Sequence, residues 1–183
     1  MNPIRRSFDV AQVLLDCVCA ALQSSENGCP SRRCVVPGNE IEFSNCCGGP
    51  NGGQLTVHIE NVYASRTFPQ PDATANVCDA PYEVVVFAVS IIRCVPVGDI
   101  DHAPSCEQLS AAAYTTFTDQ LIVREAVRCC LQNQDTLGGV AGFNYRWVLD
   151  EHPTIGPEGG CAGSTLRVFM GLMNCHDCAT VGL

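Results

Sequence analysis

The residues best suited to chemistry are fourteen cysteines: Cys17, Cys19, Cys29, Cys34, Cys46, Cys47, Cys78, Cys94, Cys106, Cys129, Cys130, Cys161, Cys175 and Cys178. An even set at this density suggests disulfides in an oxidising place. Yet a chain that is 46% hydrophobic does not need covalent staples to fold, so some of the set are expected to serve as small buried hydrophobes. Three groupings have metal-like character: Cys29-x4-Cys34, the adjacent Cys46 and Cys47, and Cys175-His176-Asp177-Cys178. The last carries the C-x2-C knuckle that zinc prefers, but no second knuckle stands at a usual spacing, and a disulfide or a loosely ordered tail is the plainer explanation. As a redox motif it is misplaced, since it follows a final strand instead of opening a helix beside a βαβ unit.

The four histidines, His58, His102, His152 and His176, are far apart, and no Gly-x-Ser-x-Gly elbow or Walker loop precedes a helix. They read as ordinary surface histidines. The glycine-rich stretches at Gly48 to Gly53 and Gly156 to Gly163 lead into strands or loops, so they read as turns and not as phosphate cradles. The sequence thus offers no catalytic group, metal site or cofactor, and the chain is expected not to be an enzyme. A zinc-binding or thiol-dependent module is the competing class.

The elements that position these residues follow from periodicity. Tyr82 to Val97, YEVVVFAVSIIRCVPV, is an unbroken β-branched and aromatic run that reads as the central strand, largely apolar on both faces. Such a strand should be covered on both sides, by helices on one and by a second layer or a neighbouring subunit on the other. A first helix is expected from about Asp9 to Leu22, capped by Ser7, with a stripe of Val10, Val13, Leu14, Cys17, Val18, Ala21 and Leu22. Cys19 lies off that stripe and is the helix's candidate for pairing. A Cys-rich insert at 24–53 follows, with a short strand at Glu40 to Phe43. Gln54 to Ser65 reads as a second long strand with a bulge near Asn61. Arg66 to Pro81 lacks periodicity and is expected to be an open loop. Ser105 and Gln108 form a capping-box pattern that opens a helix running to about Leu131, with Leu109, Ala112, Ala113, Phe117, Leu121, Val127 and Leu131 on its buried face and a break near Asp119. Two strands close the chain, Phe143 to Glu151 and Thr165 to Leu172, joined by a long irregular hairpin arm at 152–164. The expected fold is α+β: one domain over 1–183, with an antiparallel or mixed central sheet and two helices packed on one face.

Charge narrows the function. The net charge is −9, and all ten basic residues are arginines, which argues against nucleic-acid binding through a basic patch. No apolar run approaches the ~20 residues of a membrane span. The first 22 residues have basic and apolar blocks like those of a signal peptide, but Asp9, Gln12 and Asp16 interrupt the apolar block at helical spacing, so an export signal is not expected.

Several stretches, FDVAQVLLDCVCAAL, RRCVVPG, RCVPV, RCCLQ and WVLDEHPTIGPEGGCAGSTLRV, resemble a Cys-rich family of head-to-tail joining proteins from tailed phages of actinobacteria. The order of helices and strands is similar to that of tail terminator proteins, with a stopper or connector ring as the alternative. The resemblance implies a structural virion protein at the head–tail junction, assembled in the host cytoplasm. It would form a homo-oligomeric ring, a hexamer, between tail tube and connector proteins, and DNA would pass through its lumen without specific binding. On that basis Pro153, Thr154, Ile155, Gly156, Pro157, Glu158, Gly159 and Gly160 form the expected docking arm, mobile in the free subunit. Cys29, Cys34, Cys46, Cys47, Cys78 and Cys161 are the disulfide candidates, with Cys34 and Cys46 the favoured pair. Cys17 and Cys94, on core-facing stripes, are expected to stay reduced.

Overall fold

In the computed structural model, which describes residues 3–38, 46–48, 52–74, 80–98, 102–133 and 145–173, the sheet is built outward from one strand, β3 (Tyr82–Cys94). It pairs antiparallel with β2 (Gln54–Ser65) on one side and β6 (Cys161–Met173) on the other, along almost its whole length. A short strand β1 (Arg32–Val35) adds to β2 in parallel. On the far edge β4 (Arg146–Leu149) and β5 (Thr154–Glu158) lie end to end against β6. The sheet is therefore mixed, with order β1-β2-β3-β6 and then β4 and β5. The fold is α+β, with two helices and a six-stranded sheet among the described residues.

Both helices lie on one face. Helix α1 (Pro3–Gln23) contributes Val10, Leu14, Val18 and Leu22, and α2 (Cys106–Gln132) contributes Val123, Val127 and Leu131, to a core shared with Val57, Phe87, Val89, Leu166 and Met170. The apolar repeat predicts that stripe well. Ser7 is not a cap, because the helix begins at Pro3, upstream of it. The capping box of α2 is present: Ser105 Oγ accepts from the amide of Gln108, and the Gln108 side chain accepts from the Ser105 amide at 2.9 Å.

β3 is buried on its other face as well: Val84, Val86, Ala88, Ser90 and Ile92 are all 4% exposed or less within the single chain, so burying them requires no neighbouring subunit. Part of that cover is polar. His58 and Arg167 flank Ala88 in register, and the Arg167 guanidinium reaches across the sheet to Glu60 Oε2 at 2.8 Å. Glu60 can do so because the expected bulge is present between Ile59 and Asn61 and carries it out of the ladder. Farther along, Phe68 from the loop after β2 lies against Gly171 and Tyr82, where an added Cβ on Gly171 would meet the ring at 2.7 Å. That loop also folds back on itself through Tyr63 Oη to Pro69 O at 2.6 Å and Arg66 to Asp72 at 3.0 Å, and is less open than its composition predicts.

Other expectations change. β3 ends at Cys94, three residues early, since Pro96 has no amide to donate. α2 is continuous through Asp119, and only part of its expected buried face is buried: Leu109 is 48%, Phe117 57% and Leu121 70% exposed. β1 takes the place of an expected irregular stretch, whereas the strand expected at Glu40 to Phe43 lies outside the described residues.

Candidate functional site

The hairpin arm expected at 152–164 is present, but its tip is a tight turn instead of an irregular one. β6 starts at Cys161, and β5 pairs with it through Thr154 opposite Ser164 and Glu158 opposite Cys161. The turn between them is Gly159-Gly160, both at positive φ (56° and 77°), as a two-residue turn matched to the twist of a hairpin requires. Val95 donates its amide to Gly160 O at 2.8 Å, and Cys161 is bonded to Cys46, so the tip is tied to the rest of the sheet. The link from β4 to β5 is held by α2, where Arg124 donates to Asp150 O at 3.0 Å and Gln120 donates to His152 O. The backbone of this arm is thus paired with β6 on one side, and the link that leads into it is bonded to α2.

Between this hairpin and the first half of α2 lies a cavity of about 240 Å³. Val95, Leu109, Phe117, Ile155, Pro157 and Gly163 contribute to its largely apolar wall. Beside it, Tyr114 (68% exposed), Phe117 and Leu121 follow one another at helical spacing and form a second, solvent-facing apolar stripe on α2. The first half of the helix points one stripe at the hairpin and leaves the other uncovered, which explains the misjudged buried face.

Among the described residues the cysteines form four disulfides: Cys17–Cys130, Cys19–Cys29, Cys46–Cys161 and Cys47–Cys94. Of the six candidates, Cys29, Cys46, Cys47 and Cys161 are bonded; Cys34 is a free thiol on β1, and Cys78 lies outside the described residues. The favoured Cys34–Cys46 pair is thus replaced by bonds to β6 and β3. Cys94 and Cys17 are corrected too. Cys94 is the last, exposed residue of its strand and pairs with Cys47, while Cys17 sits on the flank of α1 that meets α2 and pairs with Cys130. Cys19 pairs as its off-stripe position suggests.

Buried polar groups mark where the frame is fixed. Arg93, at the end of β3, is 6% exposed and makes an ion pair with Asp119 of α2 at 2.7 Å. Its remaining donors reach the carbonyls of Asn27 and Gly52 at 3.3 Å and of Gly28 at 2.7 Å, so one guanidinium joins α2, the turn after α1 and the start of β2. Nothing in the apolar run announces this role.

Burial holds His152 well below the ordinary histidine range, at about 4, with Arg124 adding to the effect, and neither ring nitrogen has a partner among the described residues. His58 is lowered by burial, partly offset by Glu60. Cys129 is raised, chiefly by its hydrogen bond to Glu125, the opposite of what a nucleophilic thiol needs. Among the described residues no group of three or more His, Cys, Asp or Glu is placed to hold a metal; Cys175 to Cys178 lies outside them. No helix among them is long and apolar enough to cross a membrane. Compared with known proteins, the chain matches no family model and no curated protein.

Proposed function

We propose that the chain is a structural virion protein, a ring subunit at the head–tail junction that terminates the tail tube and joins it to the head. The observation that carries this reading is the surplus apolar surface at one corner of the fold: the Tyr114, Phe117 and Leu121 stripe and the cavity beside the hairpin. A monomer has no use for three large exposed apolar side chains in one row, whereas a subunit that buries them against a neighbour does. The tied hairpin supports the same reading, since a docking element held in shape loses little entropy on binding. The sequence resemblance supplies the virion context, and a net charge of −9 suits a lumen through which DNA slides without arrest. A stopper or connector ring would use the same features. Electron microscopy of the purified chain mixed with the neighbouring particle proteins is the test. Closed rings are expected. A persistent monomer in that mixture would overturn the proposal, and stoichiometric zinc in the purified chain would favour a zinc-binding module instead.

A further inference from the structure

We propose that Cys46, Cys47, Cys94 and Cys161, once reduced, form a tetrathiolate site for a zinc ion. Such a site serves a ring subunit and a monomer alike, and so stands apart from the ring reading.

Three separate parts of the fold bring the four sulfurs together. Cys94, the last residue of β3, and Cys161, the first of β6, are direct partners across the antiparallel ladder. Cys46 and Cys47 reach that pair from the insert, Cys46 bonding to Cys161 and Cys47 to Cys94. Adjacent residues of an extended chain point their side chains to opposite sides, but in the turn at Cys46 and Cys47 the two Sγ atoms lie 3.8 Å apart. In a tetrahedral tetrathiolate site with zinc–sulfur bonds of about 2.3 Å, neighbouring sulfurs also stand about 3.8 Å apart. One edge of the tetrahedron is thus already set by the insert, and the opposite edge comes from two facing residues of a paired ladder.

The surroundings suit such an ion. Cys46 and Cys161 are buried, at 2% and 0% exposure, and Ile92 and Ile155 pack against them, so one side of the site is apolar. Cys47 and Cys94 are exposed and leave a path by which the ion enters. Four thiolates favour a borderline-soft cation over calcium or magnesium, and a tetrahedral all-sulfur set is one that zinc adopts. While the sulfurs are paired as disulfides no thiolate is on offer, and no group among the described residues is arranged to hold a metal.

A reducing cytoplasm, where disulfides do not persist, supplies the other state. Each disulfide takes two electrons and two protons from a dithiol reductant, which becomes a disulfide in turn. As thiols, Cys46 and Cys47 can both donate to Gly160 O, at 3.5 and 3.8 Å; zinc displaces these protons and those of Cys94 and Cys161 to solvent. The insert is then anchored to β3 and β6 in either state, by zinc under reducing conditions and by two disulfides under oxidising ones.

The full chain, reduced with a phosphine in the absence of air, would be titrated with cobalt(II) and then zinc(II), and the zinc-loaded form alkylated and mapped by mass. A tetrahedral all-sulfur cobalt spectrum is expected, lost as zinc replaces cobalt. Zinc should protect Cys46, Cys47, Cys94 and Cys161 while Cys34, Cys106 and Cys129 are alkylated. Cys161→Ser should weaken zinc binding by about a hundredfold or more, beyond the loss when only a supporting group is changed, and Cys19→Ser combined with Cys29→Ser should leave it unaltered. The protection pattern of the parent chain needs no variant to fold. Protection of fewer than all four, or protection centred on Cys175 and Cys178 or on Cys29 and Cys34, would overturn the site, as would a reduced chain that binds no zinc. Zinc bound equally by the chain with its disulfides intact would overturn it too, while the particle experiment above judges the ring separately.

Discussion

Arg93 Nε donates to Asp119 Oδ2 at 2.7 Å in a site where the two side chains are only 8% and 1% exposed. A buried pair of this kind is strongly destabilising to break from one side, because the charge left behind has neither water nor partner. Asp119→Ala is expected to cost about 3 to 5 kcal/mol. Arg93→Met should cost at least as much, since it also strands the carbonyls of Asn27, Gly28 and Gly52. Urea unfolding of the non-reduced chain measures both, and a loss under ~1 kcal/mol for either would show that the pair does not tie the frame.

The acid side of the stability profile should carry a histidine signature. His152 is held neutral, near 4, by burial and by Arg124, so the unfolded chain binds its proton at higher pH than the folded one does. Stability from this group is fully present above about pH 6.5, the ordinary histidine value, and is lost as the pH drops from there through 4. His58 shifts in the same direction. His152→Gln should flatten the urea midpoint between pH 6.5 and 4 relative to the parent; parallel profiles would remove His152 as the cause.

Gly163 is expected to be irreplaceable. An added Cβ there would fall on the carbonyl oxygen of Ile91, a backbone atom in the middle of the β3–β6 ladder. Gly163→Ala should therefore lose on the order of 3 kcal/mol or prevent folding, as overpacking against an immovable neighbour does. Gly171→Ala meets the side-chain rings of Phe68 and Tyr82 and no backbone atom, and should cost less, so the order of the two melting temperatures tests the register.

Loop length should rank the disulfides. Cys17–Cys130 and Cys46–Cys161 span 113 and 115 residues, and Cys19–Cys29 spans 10. By chain entropy each long bridge is worth about 4 to 5 kcal/mol and the short one about 3 or less. Paired Cys→Ala variants, compared by urea midpoint, test the order. Alkylation before reduction should label Cys34, Cys106 and Cys129 and none of the eight bonded cysteines.

The long strands and both helices were legible because their apolar repeats run for ten residues or more, and the α2 cap because Ser105 and Gln108 stand three apart. β1 escaped notice: four residues with two exposed arginines carry no period to detect. The hairpin arm was legible and its turn readable in principle, since Gly159-Gly160 is a strong two-residue turn signal, but the prolines and glycines around it suggest an irregular tip. The buried face of α2 was misjudged because two apolar stripes overlap in its first half, and periodicity alone does not say which one meets the sheet. The Cys46–Cys161 and Cys17–Cys130 pairings were out of reach, because partners more than a hundred residues apart meet only once the sheet and the two helices have packed.

That pairing has a mechanical consequence. Because Cys46 is bonded to Cys161 and Cys17 to Cys130, the shortest covalent route from α1 to the end of β6 bypasses most of the intervening chain. A pull applied between α1 and Cys161, where β6 begins, would be carried through a sulfur–sulfur bond and not through the β2–β3 ladder. Most of β2 and β3 would stay slack inside the closed loops.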